Sequence, residues 1–322
     1  MTRRREITLD LAQHRLCART AKLYYESELT QAEIGETLGL SRMRVNRLLT
    51  LARDSGVVDV RITSPKEPFG ELQHELLTAL RLQDVRITPT PPSSDALRST
   101  VTAAAAGWLE ERLEVGLVVG LGLGRTVALL PEAFSPRGSL SCTFVTVEGV
   151  GTSPNTGFAA YNVTSRLADA VGGTAVIVSA PTFVSDANLR DRLLSEPSVS
   201  ATLDVARGAD VVIQSVGTVT DDALLYHHGT LDKGDLQTLQ AAGAIGDALG
   251  HYFDADGKHV PFRTDDVHIG LTLDDLRKLP TSVLVAGGRE KVQVIHAAIK
   301  GGYFNVLITD SESATQLLAM ST

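Results

Sequence analysis

The chain has 322 residues, 43% of them hydrophobic, two cysteines and a formal net charge of −8 at pH 7. That apolar content excludes a chain dominated by disorder and leaves room for a small domain beside a large one. Two cysteines cannot build a disulfide framework, no apolar run approaches a membrane span, and Arg3, Arg4 and Arg5 lead into Glu6 and Asp10 rather than a signal-peptide core, so a soluble cytoplasmic protein with no membrane partner is expected.

The acidic total argues against nucleic acid only until its distribution is read. Residues 1–64 hold 11 Lys and Arg against 8 Asp and Glu, a net +3, which leaves −11 for the remainder. A basic head on an acidic body is the asymmetry expected of a DNA-binding module.

Residues 9–27 read as a first helix with Leu16, Thr20, Leu23 and Tyr24 on its inner face. Residues 31–50, QAEIGETLGLSRMRVNRLLT, then carry two helices and a turn. Thr30 is placed to cap the first, with Ala32, Ile34 and Leu38 at helical spacing; Gly39 ends it and Ser41 caps the second. From Arg42 onward Val45, Leu48, Leu49 and Ala52 form one apolar stripe. Arg42, Arg44, Asn46 and Arg47 are left on the opposite side, the polarity a helix in the major groove needs. Gly35 stands where the two helices approach. Gln31, Ser41, Arg42, Arg44, Asn46 and Arg47 are the candidate DNA contacts, and double-stranded operator DNA is the expected partner.

A short β-branched run at 57–62 reads as the wing of a winged helix, and the two prolines in 64–68 as a linker. The expected division is a winged helix-turn-helix over 1–64 and a second domain over 65–322. Residues 69–82 form a helix that either carries a dimer contact or opens the second domain. Apolar runs at 85–87, 117–121, 144–147, 175–178, 211–216, 283–286 and 306–308 then alternate with helical stretches such as 95–113, 159–170, 291–299 and 312–320. The pattern is that of an open α/β fold with a parallel sheet and helices on both faces.

Ligands bind such folds beyond the carboxyl ends of the strands. The richest of these loops is Gly120-Leu121-Gly122-Leu123-Gly124-Arg125-Thr126, a strand entering a glycine loop that opens a helix. Amides bared by glycine at a helix start form an anion site, to which Arg125 and Thr126 add a charge and a hydroxyl. It is neither a Walker loop, since position 119 is Val119 and the basic residue is Arg125, nor a dinucleotide fingerprint, since Arg125 or Val127 stands where glycine or alanine is required. Gly122, Gly124, Arg125 and Thr126 are therefore candidate ligand contacts. Glu148 and Gly149 follow the strand at 144–147, Lys291 opens the helix after Gly287-Gly288-Arg289-Glu290, and Asp247 is suited to sugar hydroxyls. No cofactor, metal or catalytic residue is assigned. His227 and His228 are adjacent and lack a third ligand, and Asp254-Ala255-Asp256-Gly257 reads as a hairpin turn rather than a calcium loop.

The head motif over 29–62, the loop at 120–126, Ala180-Pro181, Gly243-Ala244-Ile245-Gly246-Asp247, Asp254-Ala255-Asp256-Gly257 and the closing stretch 287–310 together resemble the bacterial SorC-type (sorbitol-operon regulator) transcription factors over nearly the whole chain. The resemblance implies a large domain with the fold of sugar-phosphate isomerases and glucosamine-phosphate deaminases. It further implies a phosphorylated sugar as effector, held by loop 122–126 and the Lys291 segment, and assembly into a dimer or tetramer. The family often has Asn-Gly-Gly where this chain has Glu148-Gly149-Val150, and an acid there favours hydroxyl contacts over phosphate. The leading reading is a repressor of sugar or nucleoside catabolism genes. The other is a sugar-phosphate isomerase or deaminase, for which Glu148 and Asp247 are the attractive bases.

Overall fold

The computed structural model describes residues 10–27, 29–58, 68–122, 124–136, 138–151 and 160–321. The chain divides into two compact units, Met1–Glu67 and Pro68–Thr322.

In the first unit, α1 (Leu11–Tyr25), α2 (Gln31–Leu38) and α3 (Arg42–Asp54) close around Cys17, Ala21, Ile34, Val45, Leu48, Leu49 and Ala52. The local chemistry follows the sequence. Thr30 and Glu33 form a reciprocal capping box on α2, and Ser41 accepts the amide of Arg44 at the start of α3. Gly39 is left-handed at φ 66°, a conformation in which a side chain would be strained. Gly35 is required for a different neighbour from the one expected: a Cβ there would meet the Leu40 carbonyl of the turn at 2.6 Å. Tyr24 also departs from expectation. It faces solvent edge-on to Tyr25, while Cys17, Thr20 and Ala21 make the inner face of α1. Val57 and Val58 pack against this core; the rest of the expected wing, and the linker up to residue 67, lie outside the described residues.

The second unit opens on α4 (Gly70–Ala79), whose Leu76 is fully buried in the main core. Its strands in chain order are β1 (Asp84–Thr88), β2 (Val118–Leu121), β3 (Thr143–Thr146), β4 (Thr174–Val176), β5 (Val211–Gln214), β6 (Gly217–Thr218), β7 (Gly246–Ala248), β8 (His251–Phe253), β9 (His259–Val260), β10 (Thr281–Val285) and β11 (Val306–Asp310). Seven form one parallel sheet in the order β1-β11-β10-β5-β2-β3-β4. Alternate residues of the central strands feed two separate cores. Val211, Ile213, Val283, Val285, Val306 and Ile308 join the core built with α5 (Ser94–Glu110), and Val212, Leu284 and Leu307 join the core with α4. Both faces are thus dry, which explains the continuous apolar runs. The remaining strands make a small antiparallel sheet, β6-β7-β8-β9, whose β8–β9 connection holds Asp254–Gly257 as the expected hairpin turn.

Candidate functional site: the cleft at the strand switch point

From β2 the chain moves outward through β3 to β4, then returns to place β5 on the other side of β2 and moves the opposite way. This reversal leaves a crevice beyond the carboxyl ends of β2 and β5. A cleft of about 890 Å³ opens there, and the segment following each of the seven parallel strands contributes to its lining.

Seven of the eight residues singled out above as ligand contacts on this domain, Gly122, Gly124, Arg125, Thr126, Glu148, Asp247 and Lys291, line the cleft. Gly149 does not. It is glycine because a side chain would run into the backbone of Ala180 and Pro181, and its amide donates to Ile269, so it holds the wall together. Gly122 serves close approach too: a Cβ would collide with the carboxamide of Gln214 at the end of β5. The helix expected after the glycine loop is short, a 3₁₀ turn at Val127–Leu129 and a single turn at Leu130–Ala133 with Pro131 at its start. Its dipole contribution is correspondingly small, and side-chain charge must do more of any anion binding.

Those charges are arranged in pairs. Arg125 forks onto Asp222, and the pair holds the Asp222 carboxyl below its ordinary range. Lys291 ends the 3₁₀ turn Arg289–Lys291, and its Nζ donates to the Val216 carbonyl at 2.9 Å. Burial lowers the affinity of Lys291 for its proton, and the nearby charge of Arg125 lowers it further. Gly288, at φ 103°, turns the chain into this helix start while its amide donates to buried Asp310 and Ser313.

Asp247 lies on β7 opposite Gly217 and Tyr252. Burial pushes its carboxyl up to about 6, against the opposing effect of the Gly250 amide, which donates to it at 3.2 Å. Glu148 is 4% exposed, and its Oε2 lies 3.6 Å from Nε2 of His268.

Sequence reasoning missed several of the polar groups that meet here. Gln214 Oε1, Ser215 Oγ, Thr164 Oγ1 and His228 Nε2 are buried in the lining and have no hydrogen-bond partner among the described residues. Buried polar atoms are rarely left so in folded proteins, and a cleft that gathers four of them is built for a ligand rich in hydroxyls. Arg98, on the first turns of α5, and Arg289 add two further cations to the lining. Position just after a strand could have pointed to Gln214 and Ser215; Thr164, His228 and Arg98 carry no such signal.

On the other unit Arg42, Arg44, Asn46 and Arg47 are all exposed along α3, Ser41 is exposed at its cap, and Gln31 is half-buried at the start of α2. Met43, 81% exposed, stands among the arginines.

Comparison with known proteins agrees with both halves. The family model described as "Putative sugar-binding domain" matches residues 66–319, and that for sigma-70 region 4 matches residues 22–55. The transcriptional regulator LsrR of Klebsiella pneumoniae is 35% identical over 97% of this chain and 95% of its own length. The deoxyribonucleoside regulator of Bacillus subtilis is 28% identical over 96% of this chain and 99% of its own. The full-length sorbitol operon regulator SorC from Klebsiella pneumoniae, 23% identical, has the same fold, with a TM-score of 0.72 over 95% of this chain and 99% of that one. A helix-turn-helix, a sugar-binding domain over most of the chain, and regulators related along its whole length place this protein in the SorC-type family of sugar-responsive, DNA-binding transcriptional regulators.

Proposed function

We propose that the protein is a cytoplasmic, homo-oligomeric repressor of sugar or nucleoside catabolism genes whose operator affinity is set by a phosphorylated sugar in the cleft. Its phosphate would sit against the amides of Gly122 and Gly124, the hydroxyl of Thr126 and the charges of Arg125 and Lys291. Its hydroxyls would meet Asp247, Glu148 and the partnerless atoms of Gln214 and Ser215. Gly149 supports this arrangement from behind rather than by contact. The observation that carries the reading is the coexistence, in one cleft, of four cations, Arg98, Arg125, Arg289 and Lys291, and four buried polar atoms without partners among the described residues.

On the head, Gln31, Ser41, Arg42, Arg44, Asn46 and Arg47 would meet the duplex. A single such head covers little DNA, so two heads on half-sites about one helical turn or a multiple apart are expected, with self-association through the larger unit. An effector needs to separate the DNA-competent and incompetent states by only about 1–3 kcal/mol to change occupancy roughly 5- to 150-fold.

A thermal-shift screen of phosphosugars against their dephosphorylated counterparts tests this directly. A true effector at 100 times its Kd stabilises by about 2.7 kcal/mol, and the same compound should change retardation of operator DNA. Equal shifts from the phosphorylated and free sugars would overturn the phosphate assignment.

A further inference from the structure

We propose that His251, His259 and Asp265 form a binding site for a divalent transition-metal ion of the zinc class, set in the wall behind the cleft. The three residues come from one compact stretch of chain. His251 opens β8, His259 opens β9, the next strand of the hairpin, and Asp265 lies in the loop that follows. Asp265 is fixed by its own backbone: its amide donates to the Phe262 carbonyl, and Arg190 donates to the Asp265 carbonyl. The carboxylate is thereby held between the two rings, with Oδ1 2.5 Å from Nδ1 of His251 and Oδ2 3.0 Å from Nε2 of His259. One donor atom from each of the three residues lies within 4.8 Å of the others, and no other such group of histidine, cysteine or carboxylate side chains occurs among the described residues.

The donor set decides the class of ion. Two imidazole nitrogens and one carboxylate oxygen suit zinc and its neighbours in the first transition row, whereas calcium and magnesium require mainly oxygen. Zinc holds such ligands at about 2.0–2.2 Å, which places neighbouring donor atoms ~3.3 Å apart in a tetrahedron. Both carboxylate–imidazole contacts, at 2.5 and 3.0 Å, are shorter than that spacing, so admitting the ion requires a ring to shift. His259 can do so because it is exposed on the hairpin, while His251 is buried and fixed. The graded burial gives the ion an entry path and leaves a fourth position for water.

The support behind these ligands is also that of a metal site. Asp265 Oδ2 accepts the Phe262 amide at 2.9 Å. His251 turns its second nitrogen, Nε2, to Nδ1 of His268 at 3.1 Å, and His268 turns its own Nε2 toward Glu148 in the cleft. With Nδ1 of His251 on the ion, its proton resides on Nε2 and is donated to His268. The proton of His268 then sits on Nε2, facing the Glu148 carboxylate. Occupancy of the site therefore fixes two tautomers and turns an N–H, at 3.6 Å, toward the acid that lines the cleft.

The test uses the full-length chain, stripped with chelator, and zinc chloride alone, so it is independent of any sugar. Calorimetric titration should show one ion per chain, and the ion should raise Tm reversibly on addition and removal of chelator. Cobalt(II) should give the visible absorption of a four-coordinate nitrogen and oxygen site. His259→Ala and Asp265→Asn should each weaken binding at least 100-fold, while His74→Ala, at an exposed position of α4, should leave it unchanged. His259 is exposed, so its variant keeps the parent's circular dichroism and decides the matter even if Asp265→Asn unfolds. Absence of one-to-one binding in the parent, or binding that survives His259→Ala, overturns the proposal.

Discussion

Arg125 holds Asp222 through both arms of its guanidinium group: Nη2 meets Oδ2 at 2.9 Å and Nη1 meets Oδ1 at 3.3 Å, while Nη2 also donates to the Asp222 carbonyl at 3.0 Å. The charge that the glycine loop offers to an anion is thus already shared with a carboxylate. An arriving phosphate must compete for it. Exposed pairs of this kind are worth roughly 0.2–1 kcal/mol, so Asp222→Asn should tighten phosphosugar binding by about 1.5- to 5-fold in calorimetry, and Arg125→Ala should weaken it. Weaker binding in Asp222→Asn would mean that Asp222 itself touches the sugar.

Lys291 is the less replaceable cation, since it is set deeper and its ammonium is oriented by the Val216 carbonyl. Hydrogen bonds to charged groups contribute about 1.5–3 kcal/mol. Lys291→Met should therefore reduce effector affinity by at least tenfold, leaving operator affinity without effector at the parent's value. Both are read in one gel-retardation series with and without the sugar.

Asp247 should make stability depend on pH in an uncommon direction. Its folded value, about 6, lies above the ordinary 3.8, so between these values the native state binds more protons than the unfolded chain and stability falls as pH rises. Asp247→Asn removes that cost. Its Tm should exceed the parent's at pH 7–8, by about 2–4 °C for each kcal/mol relieved, and the gap should close as pH drops toward 4. A gap that instead widens in acid would refute the burial argument.

On the head, each of Arg42→Ala, Arg44→Ala and Arg47→Ala should weaken operator binding. An arginine that meets phosphate should also lower the salt slope by about 0.9 in a log-log plot. One that reads a base should cost about 1–3 kcal/mol and relax preference at that base pair with less change in slope. Measuring both quantities for all three sorts their roles. Loss of the cap in Ser41→Ala should cost about 1 kcal/mol of head stability.

The central sheet strands were legible because they are near-continuous apolar runs buried on both faces, whereas the edge strands β1 and β4 are only partly buried. The caps of α2 and α3 were legible because Thr30, Gly39 and Ser41 act over three or four residues. The small antiparallel sheet was not, since strands of two or three residues such as Gly217–Thr218 are shorter than any periodic signal. Loop 122–126, Glu148 and Lys291 could be found from their place after strands, and Asp247 from the glycine turn before it. Their partners could not: Arg125 meets Asp222 across 97 residues, and Lys291 meets Val216 across 75. The bracket of His251, His259 and Asp265 escaped for the same reason at shorter range. Nothing in the spacing of the three says that a loop folds back over the hairpin.

The strand order has a consequence during synthesis. β1 lies at the sheet edge and pairs with β11 alone, Asp84 beside Val306, so it has no strand partner until Val306–Asp310 has been made. The three helices of the head involve only the first 54 residues. At roughly 5–20 residues per second, the head emerges some 13–50 s before the sheet beneath the cleft can be completed. Every newly made molecule passes through an interval in which the head has been made and the cleft has not.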